Sequence, residues 1–288
     1  MELLELLKAV LFGIVEGVTE WLPISSTGHL ILLNEVVKLD VSAAFYSMFE
    51  VVIQLGAIMA VIVLFWSQIW PFGKKNNPAP LTQKGVGAWI RTDIFKLWFH
   101  ILVSCVPAAI IGLLLDDWVE EHFYNYRMVA VMLILFGIAF ILIENYNKGK
   151  EKKITELADI GYDTALLIGI FQVIAAVFPG TSRSGATIVG ALLIGVSRTV
   201  AAEYTFFLAI PVMLGASILK VRKFGLDFSV DEIVILIVGV VVAFVVSLLV
   251  IRFLMGYIRR HDFKVFGWYR IVLGVIVLVC GLIGVVHA

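Results

Sequence analysis

Pro179-Gly-Thr-Ser-Arg-Ser-Gly-Ala-Thr187 is a short polar run with apolar, helix-length sequence on both sides, residues 162–178 before it and 185–196 after it. It gathers a proline, two glycines, four hydroxyl side chains and Arg183. The chain around it has 288 residues, 61% of them hydrophobic and 15% charged. Soluble domains carry about 25% charged residues, so this composition belongs to an integral membrane protein. An arginine at membrane depth is costly and marks a functional site by default.

The apolar runs are too long for barrel strands, which alternate over about 10 residues, so the spans are expected to be helical. The net charge of zero argues against nucleic acid as a partner. Cys105 and Cys280 each sit in an apolar run and read as small buried hydrophobes. The N-terminus lacks the pattern of a cleaved signal peptide.

A second broken stretch lies upstream. Residues 2–22 are apolar but carry Glu5, Lys8, Glu16 and Glu20, and Pro23-Ile-Ser-Ser-Thr-Gly-His29 follows. Neither side of that break reaches the ~20 apolar residues of a span, so two half-length helices joined by a polar turn are expected. The two breaks are related. Gly13 to Ser26 aligns without gaps to Gly169 to Ser182, matching Gly13 with Gly169, Ile14 with Ile170 and Pro23 with Pro179. Treating Arg183 as one inserted residue then brings Thr27-Gly28 onto Ser184-Gly185.

Each broken hairpin is followed by three spans. The first half, 1–150, holds hairpin 2–34 and spans 48–66, 94–115 (with Pro107 as a kink) and 128–144. An acidic turn is expected at Asp116, Asp117, Glu120 and Glu121. A charged linker over 145–160 leads to the second half, 151–288, with hairpin 162–196 and spans 200–219, 231–251 and 267–286. A hairpin that dips in and returns adds no crossing, and three spans are odd in number, so the halves should start on opposite sides. The expected fold is therefore one all-α polytopic membrane domain: an inverted-topology repeat, each half a re-entrant broken-helix hairpin plus three transmembrane helices, six full spans in all. Loop Lys and Arg residues divide 14 to 6, the larger group including Arg270 and the smaller Lys220, which puts both termini outside.

The chemistry is concentrated at the breaks. Glu16 and Glu20 are one helical turn apart on one face. Two carboxylates in an apolar setting need a proton, an arginine or a divalent metal between them, or a water-filled crevice beside them. The matching positions of the second half are Gln172 and Ala176, so only one half carries the acids. Ser25, Ser26 and Thr27 follow the break and can cap a helix, while His29 can move a proton near neutral pH. In the second break, Thr181, Ser182, Arg183, Ser184 and Thr187 lead into a helix. Backbone N–H groups, hydroxyls and a guanidinium there make an anion site, although Arg183 could equally neutralise Glu16 or Glu20. Acids facing an anion cradle suit phosphoryl transfer, which depends mainly on positioning and charge stabilisation. An anion or lipid-phosphate transporter is the rival reading, because broken helices in inverted repeats are common in transporters.

Glu16-Gly-Val-Thr-Glu20, Pro23 to His29, Phe49-Glu-Val-Val-Ile-Gln-Leu-Gly56, Pro179 to Thr187 and Gly195-Val-Ser-Arg198 together resemble the bacterial undecaprenyl-diphosphate phosphatase family, the bacitracin-resistance type. The resemblance implies a plasma-membrane hydrolase that converts undecaprenyl diphosphate to the monophosphate and phosphate. That reaction recycles the carrier for cell-wall synthesis and confers bacitracin resistance. The resemblance also carries roles to Glu16 and Glu20 (divalent metal, magnesium or calcium, or base), Ser26, His29 and Arg183. Ser26 is favoured as nucleophile over His29, Arg183 would hold the diphosphate, and Glu50 is a weaker candidate. A second activity flipping the lipid, and a homodimer, remain open at this point.

Overall fold

The computed structural model describes residues 3–73 and 77–284, without the side chains of Asp116, Asp117 and Glu120. The sequence expectations on Glu2, Lys74, Lys75, the three acidic side chains and the end of the last span beyond 284 lie outside the described residues.

The described chain is helical. The first hairpin is α1 (Leu3–Thr19) and α2 (Ser26–Val36). Then come α3 (Ala43–Val52), α4 (Gln54–Leu64), a short α5 (Trp66–Ile69), α6 (Thr92–Phe123) and α7 (Tyr126–Tyr146). The second hairpin is α8 (Tyr162–Val177) and α9 (Arg183–Leu193), followed by α10 (Arg198–Phe224), α11 (Val230–Ile258) and α12 (Lys264–Leu282). Among the described residues, six helical segments are long and apolar enough to cross a bilayer, α3 and α4 together counting as one, Ala43–Leu64.

Two sequence expectations change. The acidic turn after 115 is backbone helix: α6 runs unbroken through Pro107 and on to Phe123, because no helix-breaking residue interrupts Asp116–Glu121. Arg270 is not a loop residue. It lies inside α12 with none of its surface exposed.

α11 shows why the bundle is a membrane protein. Ile237, Val241, Val245, Leu249 and Phe253 recur every fourth residue and are all at least half exposed. Its opposite face buries Gly239, Ala243 and Ser247 against α1. Small residues let the backbones close up, as in membrane helix pairs. A Cβ on Gly13 would come within 2.8 Å of the Gly239 carbonyl oxygen, and one on Gly17 within 2.8 Å of that of Ala243. The same device recurs on the other side of the bundle. α8 packs on α6, where a Cβ on Gly169 would lie 2.5 Å from the Ser104 carbonyl oxygen. The first helix of each hairpin thus packs on the second long span of the opposite half, and α7 packs on α12.

Hydrogen bonds tie together the segments at the two ends of each hairpin. In the first, Lys8 donates to the Lys38 carbonyl and the Asp40 N–H donates to Glu5. After the second, the Lys153 N–H reaches the Gly195 carbonyl and the Ser197 N–H that of Ile154. Arg198 forms a charge-assisted bond to buried Glu144 of α7, which also accepts from the Phe263 N–H ahead of α12. α10 forms the middle of the core, with Tyr204, Phe206 and Phe207 fully buried and Trp21 edge-on to Phe206.

Candidate active site

The two breaks share an unusual backbone. Ser25 and Ser182 are the two described non-glycine residues with positive φ, at 76° and 68°. A left-handed conformation costs a residue with a side chain roughly 1–2 kcal/mol. It persists here because each serine caps the helix that follows: Ser25 Oγ accepts from the Gly28 N–H, and Ser182 Oγ from the Gly185 N–H. This geometry corrects the sequence alignment. Ser25 corresponds to Ser182, so Ser26 corresponds to Arg183 and Gly28 to Gly185. The extra residue of the second break therefore lies between Pro179 and Ser182, and Arg183 is not the insertion.

Ser26 and Arg183 thus open α2 and α9, and both meet Glu20. Ser26 Oγ donates to Glu20 Oε2 at 2.9 Å, and Arg183 Nη2 donates to Glu20 Oε1 at 3.1 Å. Arg183 Nη1 also donates to the Thr205 carbonyl on α10 at 2.9 Å. Ser184 Oγ donates to the Glu20 carbonyl at 3.2 Å, a further tie between the hairpins. Glu20 is 6% exposed and Glu16 is fully buried. Neither Glu16 carboxylate oxygen has a hydrogen-bond partner. The alignment partner of Glu16, Gln172, is buried with an unpartnered amide.

The other expected residues take varied positions. His29 lies one turn along α2, with both ring nitrogens turned to groups other than Ser26. Nδ1 is 2.7 Å from the Ser25 carbonyl oxygen and Nε2 is 2.7 Å from the Tyr269 hydroxyl. The carbonyl can only accept, so Nδ1 carries the proton and Nε2 accepts from Tyr269. Thr187 is bonded within α9 and to the Thr205 hydroxyl at 2.9 Å. Thr181 is buried with an unpartnered hydroxyl, and Ser182 Oγ is 3.1 Å from Ser184 Oγ. Thr27 and Glu50, with Ser26, line a cavity of about 410 Å³. It extends past Ala176 and Pro179 of the second hairpin to Glu35, Tyr124 and Lys220. Ala176 matches Glu20 in the alignment, and its small side chain leaves room for the cavity where the first half carries an acid.

One residue at the junction was not singled out from sequence. Arg270 donates from Nη1 to the Pro23 carbonyl (3.2 Å) and from Nη2 to the Gly180 (3.0 Å) and Thr181 (2.7 Å) carbonyls. One guanidinium thereby fastens both turns. A lone arginine six residues into an apolar helix reads in sequence as an interfacial charge, and only its buried position distinguishes it.

As to metal, no group of three or more His, Cys, Asp or Glu side chains converges for an ion among the described residues. Glu16 nevertheless supplies two buried, unpartnered oxygens beside Glu20. Hard carboxylate donors of this kind suit magnesium or calcium, with remaining positions filled by water or substrate.

Known proteins bear on this arrangement. A family profile described as "Bacitracin resistance protein BacA" matches residues 9–276. A Desulfitobacterium hafniense protein named undecaprenyl-diphosphatase is 63% identical over 96% of both chains. Clostridium acetobutylicum undecaprenyl-diphosphatase 1 is 60% identical over 98% of this chain and 100% of its own. An Enterococcus faecalis undecaprenyl-diphosphatase is 56% identical over 96% and 98%. With its hairpin junction built from the motif residues and its length matched almost throughout, the chain belongs to the BacA bacitracin resistance protein family.

Proposed function

We infer that this multi-pass membrane protein is an undecaprenyl-diphosphatase, hydrolysing the lipid diphosphate to the lipid monophosphate and inorganic phosphate. One observation supports the reaction most: the Ser26 hydroxyl is bonded to one oxygen of Glu20 while Arg183, from the opposite hairpin, holds the other. A carboxylate in hydrogen-bond contact with a hydroxyl is placed to act as its general base.

Ser26 Oγ attacks the terminal phosphorus as Glu20 takes its proton. The bond from that phosphorus to the bridging oxygen breaks, and Glu20 returns the proton to the departing lipid phosphate. A water molecule, deprotonated by Glu20, then releases phosphate from the serine, and Ser26 recovers its proton. Arg183 offsets charge on the terminal phosphate, and its bond to the Thr205 carbonyl keeps the guanidinium facing Glu20. His29 holds the Ser25 turn, and so the aim of Ser26, through the Ser25 carbonyl. Glu16, with Glu20, would hold a magnesium or calcium ion, which when bound neutralises phosphate oxygen charge.

The two halves, 1–150 and 151–288, each contribute one turn, in an inverted repeat with both breaks near the middle of the bilayer. Removing Arg270 from the basic residues of the cytoplasmic side leaves a 13 to 6 excess, and the termini stay outside. The cavity is lined by Glu35 near the end of α2, Tyr124 just after α6 and Lys220 in the last turns of α10. On this reading those helix ends lie on the outer side, and the cavity opens to the outer face of the plasma membrane. Consuming the diphosphate there removes the form that bacitracin sequesters and returns the carrier to wall synthesis.

The test is phosphate release from a polyprenyl diphosphate by the purified protein in detergent. Release that disappears in Arg183→Ala and Glu20→Ala is expected. Its absence from the wild-type protein with every divalent cation would refute the reading.

A further inference from the structure

Lys220 lies in the last turns of α10, within a helix long and apolar enough to cross the bilayer. A lysine at such a position normally faces water or an anionic partner. It lines the same cavity as Ser26 and Thr27, and among the described residues lining that cavity it is the one cation. Arg183, bound to Glu20 and to the Thr205 carbonyl, is the cation for the terminal phosphate beside Ser26 and is not among the residues lining the rest of the cavity. Glu35 and Glu50 do line it. Lys220 is thus the lining group able to attract a phosphate by charge.

The lysine has polar neighbours suited to phosphate. Its Nζ donates to Ser47 Oγ at 3.3 Å, across from α10 to α3. One residue earlier, Tyr46 lines the cavity with a buried hydroxyl that has no hydrogen-bond partner. An ammonium and two hydroxyls on facing helices can donate to the oxygens of one phosphate group.

We propose that Lys220, with Ser47 and Tyr46, forms a subsite for the lipid-bearing phosphate of the substrate. This rests on the phosphatase reading, which puts the terminal phosphate at Ser26. The second phosphate then lies elsewhere along the wall of the same cavity, which Lys220 also lines. The subsite selects for a diphosphate, because a molecule with one phosphate occupies the Ser26 position or the Lys220 position but not both. It also accounts for a lysine that does no chemistry at Ser26.

Phosphate release by the full-length protein in detergent, with a polyprenyl diphosphate as substrate, tests this. Inhibition is measured in parallel with polyprenyl monophosphate and with orthophosphate. Charge-assisted hydrogen bonds of this kind give about a ten- to hundredfold effect. Lys220→Gln should raise KM by that factor and weaken inhibition by the lipid monophosphate equally. Its kcat and its inhibition by orthophosphate should stay within about twofold, and Lys220→Arg should restore most of the affinity. An unchanged KM in Lys220→Gln overturns the proposal. So does loss of orthophosphate inhibition with lipid monophosphate inhibition intact, since the lysine would then serve the terminal phosphate. If Lys220→Gln has no measurable turnover, direct binding of the lipid monophosphate to the variant, checked for wild-type thermal stability, decides: retained affinity overturns the proposal and lost affinity supports it. Failure of the wild-type protein to release phosphate would instead remove the parent reading.

Discussion

Ser26 and Arg183 are counterparts: each is the first residue of its helix, each follows a serine held at positive φ, and each is bonded to a different oxygen of Glu20. Equivalent positions in two related turns have taken up complementary chemistry, a hydroxyl in one and a fixed positive charge in the other. Glu20 is the point where they meet.

That arrangement separates the roles of the two acids. Glu20→Gln keeps the size of the side chain and an acceptor for Ser26 but cannot take its proton. Its kcat should fall by about 10²–10⁴-fold with KM changed far less. Steady-state phosphate release measures both. A Glu20→Gln enzyme with nearly full kcat would move the base elsewhere.

Arg270 carries a structural prediction. Arg270→Ala leaves the Pro23, Gly180 and Thr181 carbonyls without this donor. Each buried group left unsatisfied costs about 1–3 kcal/mol, so the variant should unfold at a clearly lower temperature as well as lose activity. Arg270→Lys should recover little, because one ammonium does not reproduce the planar fork that reaches both turns. A variant with wild-type melting behaviour in detergent would contradict the fastening role.

The Glu144–Arg198 pair should behave differently. It lies near the α7–α8 and α9–α10 connections, away from the Ser26 cavity. Glu144 is buried but Arg198 is 35% exposed, so removing the acid costs about 1–3 kcal/mol, less than for a fully buried pair. Glu144→Ala is therefore expected to lower thermal stability while the fraction that remains folded keeps a wild-type KM. A raised KM at unchanged stability would assign Arg198 to the substrate instead.

The close-approach glycines give a paired test of the repeat. Gly13→Ala and Gly169→Ala each push a methyl group against a backbone carbonyl of the opposite half. Overpacking of this kind costs about 1–3 kcal/mol, and the two variants should be destabilised by similar amounts in thermal unfolding. A large loss in one and none in the other would mean that the two helix contacts are not equivalent.

Much of the fold could be read from residues. Period and length located the spans, and Pro23 and Pro179 located the breaks, because a proline between two short apolar runs leaves little alternative. The acid pair and Arg183 were legible because charge is rare in such a chain. The register between the breaks was not. Pro-Ile-Ser-Ser and Pro-Gly-Thr-Ser-Arg can be aligned in two ways by residue type, and only φ and the cap bonds of Ser25 and Ser182 choose between them. Arg270 and Lys220 were read as loop charges because a cation near the end of an apolar run can snorkel outward or turn inward, and the difference depends on what packs around it. The extension of α6 past Leu115 was missed because acidic residues were taken for a turn, although a helix leaving the bilayer can carry them.

The central claim is that Ser26 is the nucleophile and His29 a residue that positions it. Rapid-quench phosphate release and trapping of phosphate on the protein, compared for the wild type, Ser26→Ala and His29→Asn, test it most directly. Asparagine can still donate to the Ser25 carbonyl, so His29→Asn should keep measurable turnover and the trapped phosphoprotein. Ser26→Ala should lose both, with turnover down by about a thousandfold or more. Near-normal turnover in Ser26→Ala together with a dead His29→Asn would contradict the account.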